Sequence, residues 1–227
     1  MTQLQEPPVV APAPAPWRLK GQGYIFAVLL PERVLSGQSF VPAAIAGSRR
    51  GRVAYAMFVD YADSPVGPYH ELLYIPGSFA FGSGRHPSIS KIYVSSWESV
   101  ANGRDNWGIP KERCDFLTNY GADRIDRIRL RADDGTVFAD LQLEHKFLRF
   151  PMPGRWVPAR LRTLAQQWQG KEFTFSPEAN GHLKWASVLH WEFNPDYFPD
   201  LAQGRVLAAL KVTDFSMVFP EAEVRAL

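Results

Sequence analysis

Apolar residues along this chain fall in short runs with strand rather than helix periodicity, broken by glycine, proline and acidic turns. Tyr24–Leu30 reads as a buried strand stopped by Pro31, and Pro31–Phe40 as a short helix or loop. Val53–Tyr61 and Tyr69–Ile75 are further strands, joined by the turn-rich segment Asp63–Pro68. Gly77, Gly82 and Gly84 punctuate the next connection, and Ile89–Ser95 is strand again. Ser95 or Ser96 then stands where an N-cap belongs, ahead of a short helix over Trp97–Arg104. Arg113–Tyr120, Ile125–Arg131 and Val137–Leu143 form a meander with turns at Gly121–Asp123 and at Asp133–Gly135. Leu161–Trp168 has the composition of a late helix, and Phe173–Phe175, Leu183–Phe193 and Val206–Val218 return to strand. No repeat of 20–50 residues is visible. Strands outnumber helices and do not alternate with them, which argues against doubly wound or (β/α)8 architectures. The fold class expected is α+β: a mostly antiparallel, closed or barrel-like sheet with a few short peripheral helices.

Composition narrows the function classes. The 227 residues suit one domain with a sizeable core, and 46% hydrophobic content is that of a globular chain. A net charge of +2, from 25 basic and 23 acidic residues, gives no electrostatic argument for nucleic acid or an anionic membrane. Arg124, Arg127, Arg129 and Arg131 alternate with acidic neighbours and read as a solvated strand face. No apolar run is long enough to span a bilayer as a helix. The single cysteine, Cys114, cannot form an internal disulfide, which suits a reducing, cytoplasmic setting; with no base nearby in sequence it reads as a buried thiol. Residues 1–16 are Pro/Ala-rich and read as a flexible tail, leaving residues 17–227 as the folded domain. The five histidines show no metal-ligand spacing, and Gly82–His86 is not a phosphate loop.

The chemistry-bearing stretch is Gly103-Arg104-Asp105-Asn106-Trp107-Gly108-Ile109-Pro110-Lys111. Pro110 fixes its own φ and biases Ile109 to an extended conformation, so Lys111 has a stiff mount. A rigid, partly desolvated amine can add to a carbonyl and form a Schiff base. The bland alternative is a surface lysine, or one paired with Glu71 or Asp105.

The pattern G-R-x-x-W-G-x-P-K resembles the lysine motif of the acetoacetate decarboxylase family, and Gly67-Pro68-Tyr69-His70-Glu71 resembles the loop and strand that precede it there. The resemblance implies a barrel fold, a Schiff-base lysine at Lys111, and an active-site glutamate at Glu71 that orients substrate or moves protons. It implies a small carbonyl substrate, no cofactor, and a homo-oligomer. Tyr69 and Arg104 are the further pocket candidates it offers. The chain also departs from the family pattern. The second lysine of the decarboxylases is Glu112 here, and the arginine of their first strand falls at Gln22. Both positions belong to the expected substrate-binding set, yet neither supplies the cation that would hold a substrate carboxylate. A further family glutamate falls near Ala56. Segments Pro16–Gly21 and Asp63–Leu73 also resemble the plant neoxanthin-deficiency protein and its fungal and bacterial relatives, a branch in which the lysine is replaced. Two functions follow as expectations. One is a Schiff-base lyase of decarboxylase, aldolase or dehydratase type. The other is a non-catalytic pocket protein that binds an apolar ligand.

Overall fold

The computed structural model describes residues 4–37, 40–152, 154 and 162–227. Fifteen strands and three α-helices make up these residues. A ten-stranded sheet is built from β1 (Trp17–Leu29), β2 (Val53–Asp63), β3 (Tyr69–Ile75), β6 (Lys91–Val94), β7 (Lys111–Arg113), β8 (Asp115–Tyr120), β9 (Ile125–Arg131), β10 (Val137–Met152), β13 (Glu178–Phe193) and β14 (Arg205–Phe219). Its order is β7-β6-β3-β2-β1-β14-β13-β10-β9-β8. The two edge strands, β7 and β8, are consecutive in the chain and meet at Cys114. The Cys114 amide donates to the Val94 carbonyl at 3.0 Å, so the sheet curls into a nearly closed barrel. Every neighbouring pair is antiparallel except β6 and β7, which are parallel. The sheet is therefore mixed rather than purely antiparallel.

Period-2 alternation assigns the side chains to two cores. Even-numbered residues of β1 and β2, including Tyr24, Phe26, Val28 and Phe58, fill the barrel interior with Leu72, Leu130, Phe138, Leu141 and Phe193. Odd-numbered residues of the same strands face a second core, with Trp17, Leu19 and Tyr61 beside Tyr69, Leu73, Phe173 and Phe215. That second face is covered by helix α3 (Trp97–Trp107) and by a small sheet of order β11-β12-β15, from Leu164–Trp168, Lys171–Phe175 and Glu223–Ala226. Because β3 and β6 are buried on both faces, they carry almost unbroken apolar runs.

Helix α3 positions the site. Ser96 caps its N-terminus, its side chain accepting from the Ser99 amide at 3.3 Å. At the other end Gly108 has φ +63°, a left-handed cap, and a Cβ there would meet Phe173 Cδ2 at 2.6 Å. The helix runs one turn past the expected Arg104 because Trp107 is drawn into the second core. Its indole packs edge-on against Trp17 and Phe219, each at 5.0 Å, and donates to the Pro220 carbonyl at 2.7 Å. Truncating so buried an indole costs about 3–5 kcal/mol.

One expectation is corrected. Leu164–Trp168 is a strand, not part of a helix, and Leu161 lies outside the described residues. Gln169 and Gly170 have φ +49° and +72°, the signature of a two-residue hairpin turn, which pairs Trp168 with Lys171 and overrides the helix propensity of the Leu-Ala-Gln-Gln run. The proline-rich N-terminal segment lies against α3. Asn102 accepts from the Ala13 amide at 2.6 Å and donates to the Ala11 carbonyl at 3.1 Å. Asn106, one turn later, donates to the Ala13 carbonyl at 2.8 Å and accepts from the Ala15 amide at 3.3 Å. An extended segment with no internal hydrogen bonds leaves its carbonyls free, and two asparagines at i, i+4 spacing satisfy them. Among the described residues no helix is long and apolar enough to cross a membrane.

Candidate functional site

Lys111 opens β7 directly after Pro110. Its amide closes a three-residue turn on the Ile109 carbonyl at 2.7 Å, so the proline and the turn together fix the strand's first residue. Register brings its partner alongside. Leu73 pairs with Ile92, Ile92 pairs with Lys111, and Glu71 stands two residues from Leu73 on the same face of β3. The Lys111 ammonium donates to Glu71 Oε2 at 3.0 Å and to Ser99 Oγ at 3.0 Å. Lys111 is 3% exposed and Glu71 4%, so both charges depend on each other.

Two tyrosines complete the cluster. Tyr61 donates to Glu71 Oε1 at 3.3 Å. Tyr69 packs its ring 4.5 Å from that of Tyr61 and lies beneath the Lys111 amine, 5.2 Å from ring centroid to Nζ. Burial, reinforced by the Glu71 charge, pushes both phenols well above their ordinary pKa, so both stay protonated donors.

This cluster forms one part of the lining of a cavity of about 890 Å3. The facing wall is apolar. β1 contributes Gly23 and Ile25, β2 Met57 and Val59, and β14 Val212, Phe215 and Met217. Among the described lining residues the only cations besides Lys111 are Arg85, on β5 (Gly84–Pro87), and Arg162, just ahead of β11.

Lys111, Glu71 and Tyr69 thus converge on one cavity; Arg104, Gln22 and Glu112 do not line it. Arg104 is buried and turned to the backbone. Its Nε and Nη2 donate to the Lys111 carbonyl at 3.0 and 2.6 Å, Nη1 donates to the Gln5 carbonyl at 2.8 Å, and the guanidinium stacks on Trp168. Burial lowers its pKa, against the raising pull of Glu112. It anchors the lysine-bearing strand instead of offering charge to a ligand. Gln22 lies on the opposite face of β1 from Gly23 and reaches Asp60 Oδ2 at 3.3 Å. Glu112, next in sequence to Lys111, points to the other side of β7 and is paired with Lys91 inside the protein. The one-residue offset decides Gln22 and Glu112, since adjacent strand residues face opposite sides of a sheet.

Ser99, Tyr61 and Gly103 belong to the site and were not among the sequence candidates. Ser99 and Gly103 are four apart on α3, so they share the helix face turned to Lys111. For Tyr61 the alternation Tyr55-Met57-Val59-Tyr61 against Ala54-Ala56-Phe58 carries the signal.

No family model matches the chain, and no curated protein does. Solved structures do. The chain is similar to acetoacetate decarboxylase from Legionella pneumophila (TM-score 0.69, 14% identity, 99% of this chain and 93% of that one). It is similar to an acetoacetate decarboxylase-like enzyme from Sphingomonas wittichii RW1 (TM-score 0.69, 13% identity, 94% of each chain). It is also similar to the enduracididine biosynthesis enzyme MppR complexed with pyruvate (TM-score 0.63, 13% identity, 93% of this chain and 91% of that one). The chain therefore has the acetoacetate decarboxylase-like fold, the β-barrel class expected from its motifs.

Proposed function

We propose that the chain is a member of the acetoacetate decarboxylase family and uses Lys111 as a Schiff-base nucleophile on a carbonyl substrate. The observation that carries this reading is a buried lysine amine, 3.0 Å from both Glu71 and Ser99, at the wall of an apolar cavity. The Lys111 ammonium passes a proton to Glu71, and the free amine adds to the carbonyl carbon. The carbinolamine hydroxyl leaves as water, taking a proton from Glu71, with Tyr61 and Ser99 donating to oxygens as they form. The protonated imine withdraws electrons from the adjacent carbon. A bond at that carbon breaks, its electron pair enters an enamine, and protonation followed by hydrolysis frees the amine. The fold likeness supports this reading because a neighbour with the same fold is described as complexed with pyruvate, a small oxo-acid.

A second reading is favoured by the same amine, already satisfied by Glu71 and Ser99. In it, Lys111 is a structural ion pair and the cavity holds an apolar ligand without chemistry. One experiment separates the two. The protein is incubated with pyruvate, acetone or medium-chain methyl ketones, reduced with borohydride, and mapped by mass spectrometry. A covalent adduct on Lys111, lost in Lys111→Met, is expected. Absence of any adduct across the series leaves the binding-protein reading.

A further inference from the structure

We infer that Gln5 is a positioning residue for the Lys111 amine, and that the segment from Gln5 to Ala15 works as a strap across the free edge of the lysine-bearing strand. The inference rests on the Schiff-base reading for its chemical readout only.

The backbone of β7 is where the strap acts. This three-residue strand ends the sheet, with β6 on one side and, among the described residues, no strand on the other. Backbone groups of alternate residues turn to the same side. The Cys114 amide bonds Val94 on β6, so Glu112 also faces β6, and Lys111 and Arg113 present their N–H and C=O groups to the free edge. Left unpaired inside the protein, each such group costs as much as a lost hydrogen bond. All four have partners. The Lys111 N–H donates to the Ile109 carbonyl at 2.7 Å. The Lys111 carbonyl accepts from Arg104 Nε and Nη2 at 3.0 and 2.6 Å. The Arg113 N–H donates to Gln5 Oε1 at 2.6 Å, and the Arg113 carbonyl accepts from Gln5 Nε2 at 3.1 Å. A carboxamide carries an acceptor and two donors, so the Gln5 side chain stands where a neighbouring strand would. Its second donor goes to Asp133 Oδ2 at 2.9 Å.

Gln5 also reaches the other end of the strand. Its carbonyl accepts from Arg104 Nη1 at 2.8 Å, so one guanidinium holds both Gln5 and Lys111. A single residue thus clamps β7 at Arg113 through its side chain and at Lys111 through Arg104. The rest of the segment keeps Gln5 in place, bound to α3 through Asn102 and Asn106 between Ala11 and Ala15.

The consequence for the site is local. A three-residue strand paired on one side is the kind of element that opens well below the free energy of global unfolding. The Lys111 amine lies 3.0 Å from Glu71 and 3.0 Å from Ser99, and those partners stand on β3 and α3. When β7 opens, the amine leaves the carboxylate that exchanges its proton, while the apolar walls on β1, β2 and β14 stay where they are. Loss of the strap therefore acts on the attack of the amine and not on the binding of the carbonyl compound.

The test uses the full chain, with acetone and methyl heptyl ketone as probes. Borohydride trapping on Lys111 is followed against ketone concentration in wild type, Gln5→Ala, Gln5→Met and, as a control at an exposed position of the same segment, Val9→Ala. The maximal trapping rate should fall about tenfold or more in both Gln5 variants, as expected when a reacting group is misplaced. The half-saturating concentration should stay within about twofold, and the melting temperature should drop by only a few degrees. Val9→Ala should match wild type. A Gln5 variant that keeps the wild-type maximal rate would overturn the inference. So would a loss confined to the half-saturating concentration, or an equal loss in Val9→Ala. If wild type traps neither ketone, the imine reading fails, and amide hydrogen exchange then decides the strap separately. Gln5→Ala should speed exchange at Lys111 and Glu112 as well as at Arg113, whose amide loses its bond directly; faster exchange at Arg113 alone would overturn the strap.

Discussion

Gly103 on α3 lies directly against the Lys111 side chain. A Cβ built on Gly103 would come within 2.7 Å of Lys111 Cδ and 2.8 Å of Cε. Glycine in a helix interior ordinarily costs about 1 kcal/mol relative to alanine, so its place there reflects the packing of the lysine stem. With Ser99 one turn earlier, the helix supplies a groove for the methylenes and a hydroxyl for the amine.

Gly103→Ala separates the two effects. The added methyl should push the amine away from Glu71 and lower borohydride trapping at Lys111 by tenfold or more, a displacement effect of the size expected when a reacting group is misplaced by about 1 Å. Helix propensity favours alanine, so the melting temperature should change by only a few degrees. Undiminished trapping in a folded Gly103→Ala protein would show that the lysine stem does not depend on this contact.

The N-terminal segment is tied to the same helix, and from there to the lysine strand. Gln5 closes the arrangement: its carbonyl accepts from Arg104, and its side chain bridges the Arg113 backbone and Asp133. Arg104 in turn holds the Lys111 carbonyl. The double variant Asn102→Ala with Asn106→Ala removes four hydrogen bonds to residues 11–15. At about 1 kcal/mol net each, partly replaced by water, the loss should be about 2–3 kcal/mol. For a domain of this size that lowers the melting temperature by roughly 5–10 °C. Deleting residues 1–15 should do at least as much. A melting curve unchanged by the deletion would show that the segment does not hold the helix.

The strand core was legible in the sequence because burial writes itself as period. Tyr69–Ile75 and Ile125–Arg131 have the observed bounds; the first is apolar on both faces over Leu72–Ile75 and the second alternates strictly. Leu164–Trp168 was not legible, since its residues favour helix and only pairing across the Gln169–Gly170 turn makes it a strand. At the site, the Pro110–Lys111 mount and the Glu71 strand were visible as local patterns. The side toward which Gln22 and Glu112 point was not, because a register shift of one residue changes the face and motif spacing does not encode it. Ser99 and the apolar wall from β14 come from segments far apart in sequence, and only the closed sheet brings them together.

His70 gives the fold an acid-sensitive point. Its ring packs against those of Phe58 at 6.1 Å and Phe116 at 5.6 Å. Burial lowers its pKa below the usual 6.5, outweighing Asp60 at 3.5 Å, which pulls the other way. His145 is lowered as well, by burial and then by Lys211. A histidine that resists protonation only when folded contributes its full stability above the unfolded pKa, and that stability falls as pH drops through 6.5 toward the folded value. Melting temperature should therefore be flat from pH 7 to 8 and decline between about pH 6.5 and 5. His70→Gln should flatten part of that decline. A wild-type decline that begins only in the carboxylate range, near pH 4, would refute the role of these histidines.

The wall facing Lys111 bears on which carbonyl compound the cavity would reject. An acetoacetate whose ketone reached the Lys111 amine would place its carboxylate near Glu71, with Ile25, Met57 and Val59 across the cavity and no cation there. The Lys111–Glu71 pair is neutral as a whole, so no net positive charge there offsets the desolvation of the carboxylate. Acetone production from acetoacetate should accordingly stay near the uncatalysed rate, measured as carbon dioxide release against the Lys111→Met control. Placing a lysine at the neighbouring position should not help. Glu112 faces Lys91, so Glu112→Lys would set two buried ammonium groups together and cost about 3 kcal/mol or more of stability without bringing charge into the cavity. Efficient lysine-dependent decarboxylation by wild type, or its gain in Glu112→Lys, would refute this argument from charge.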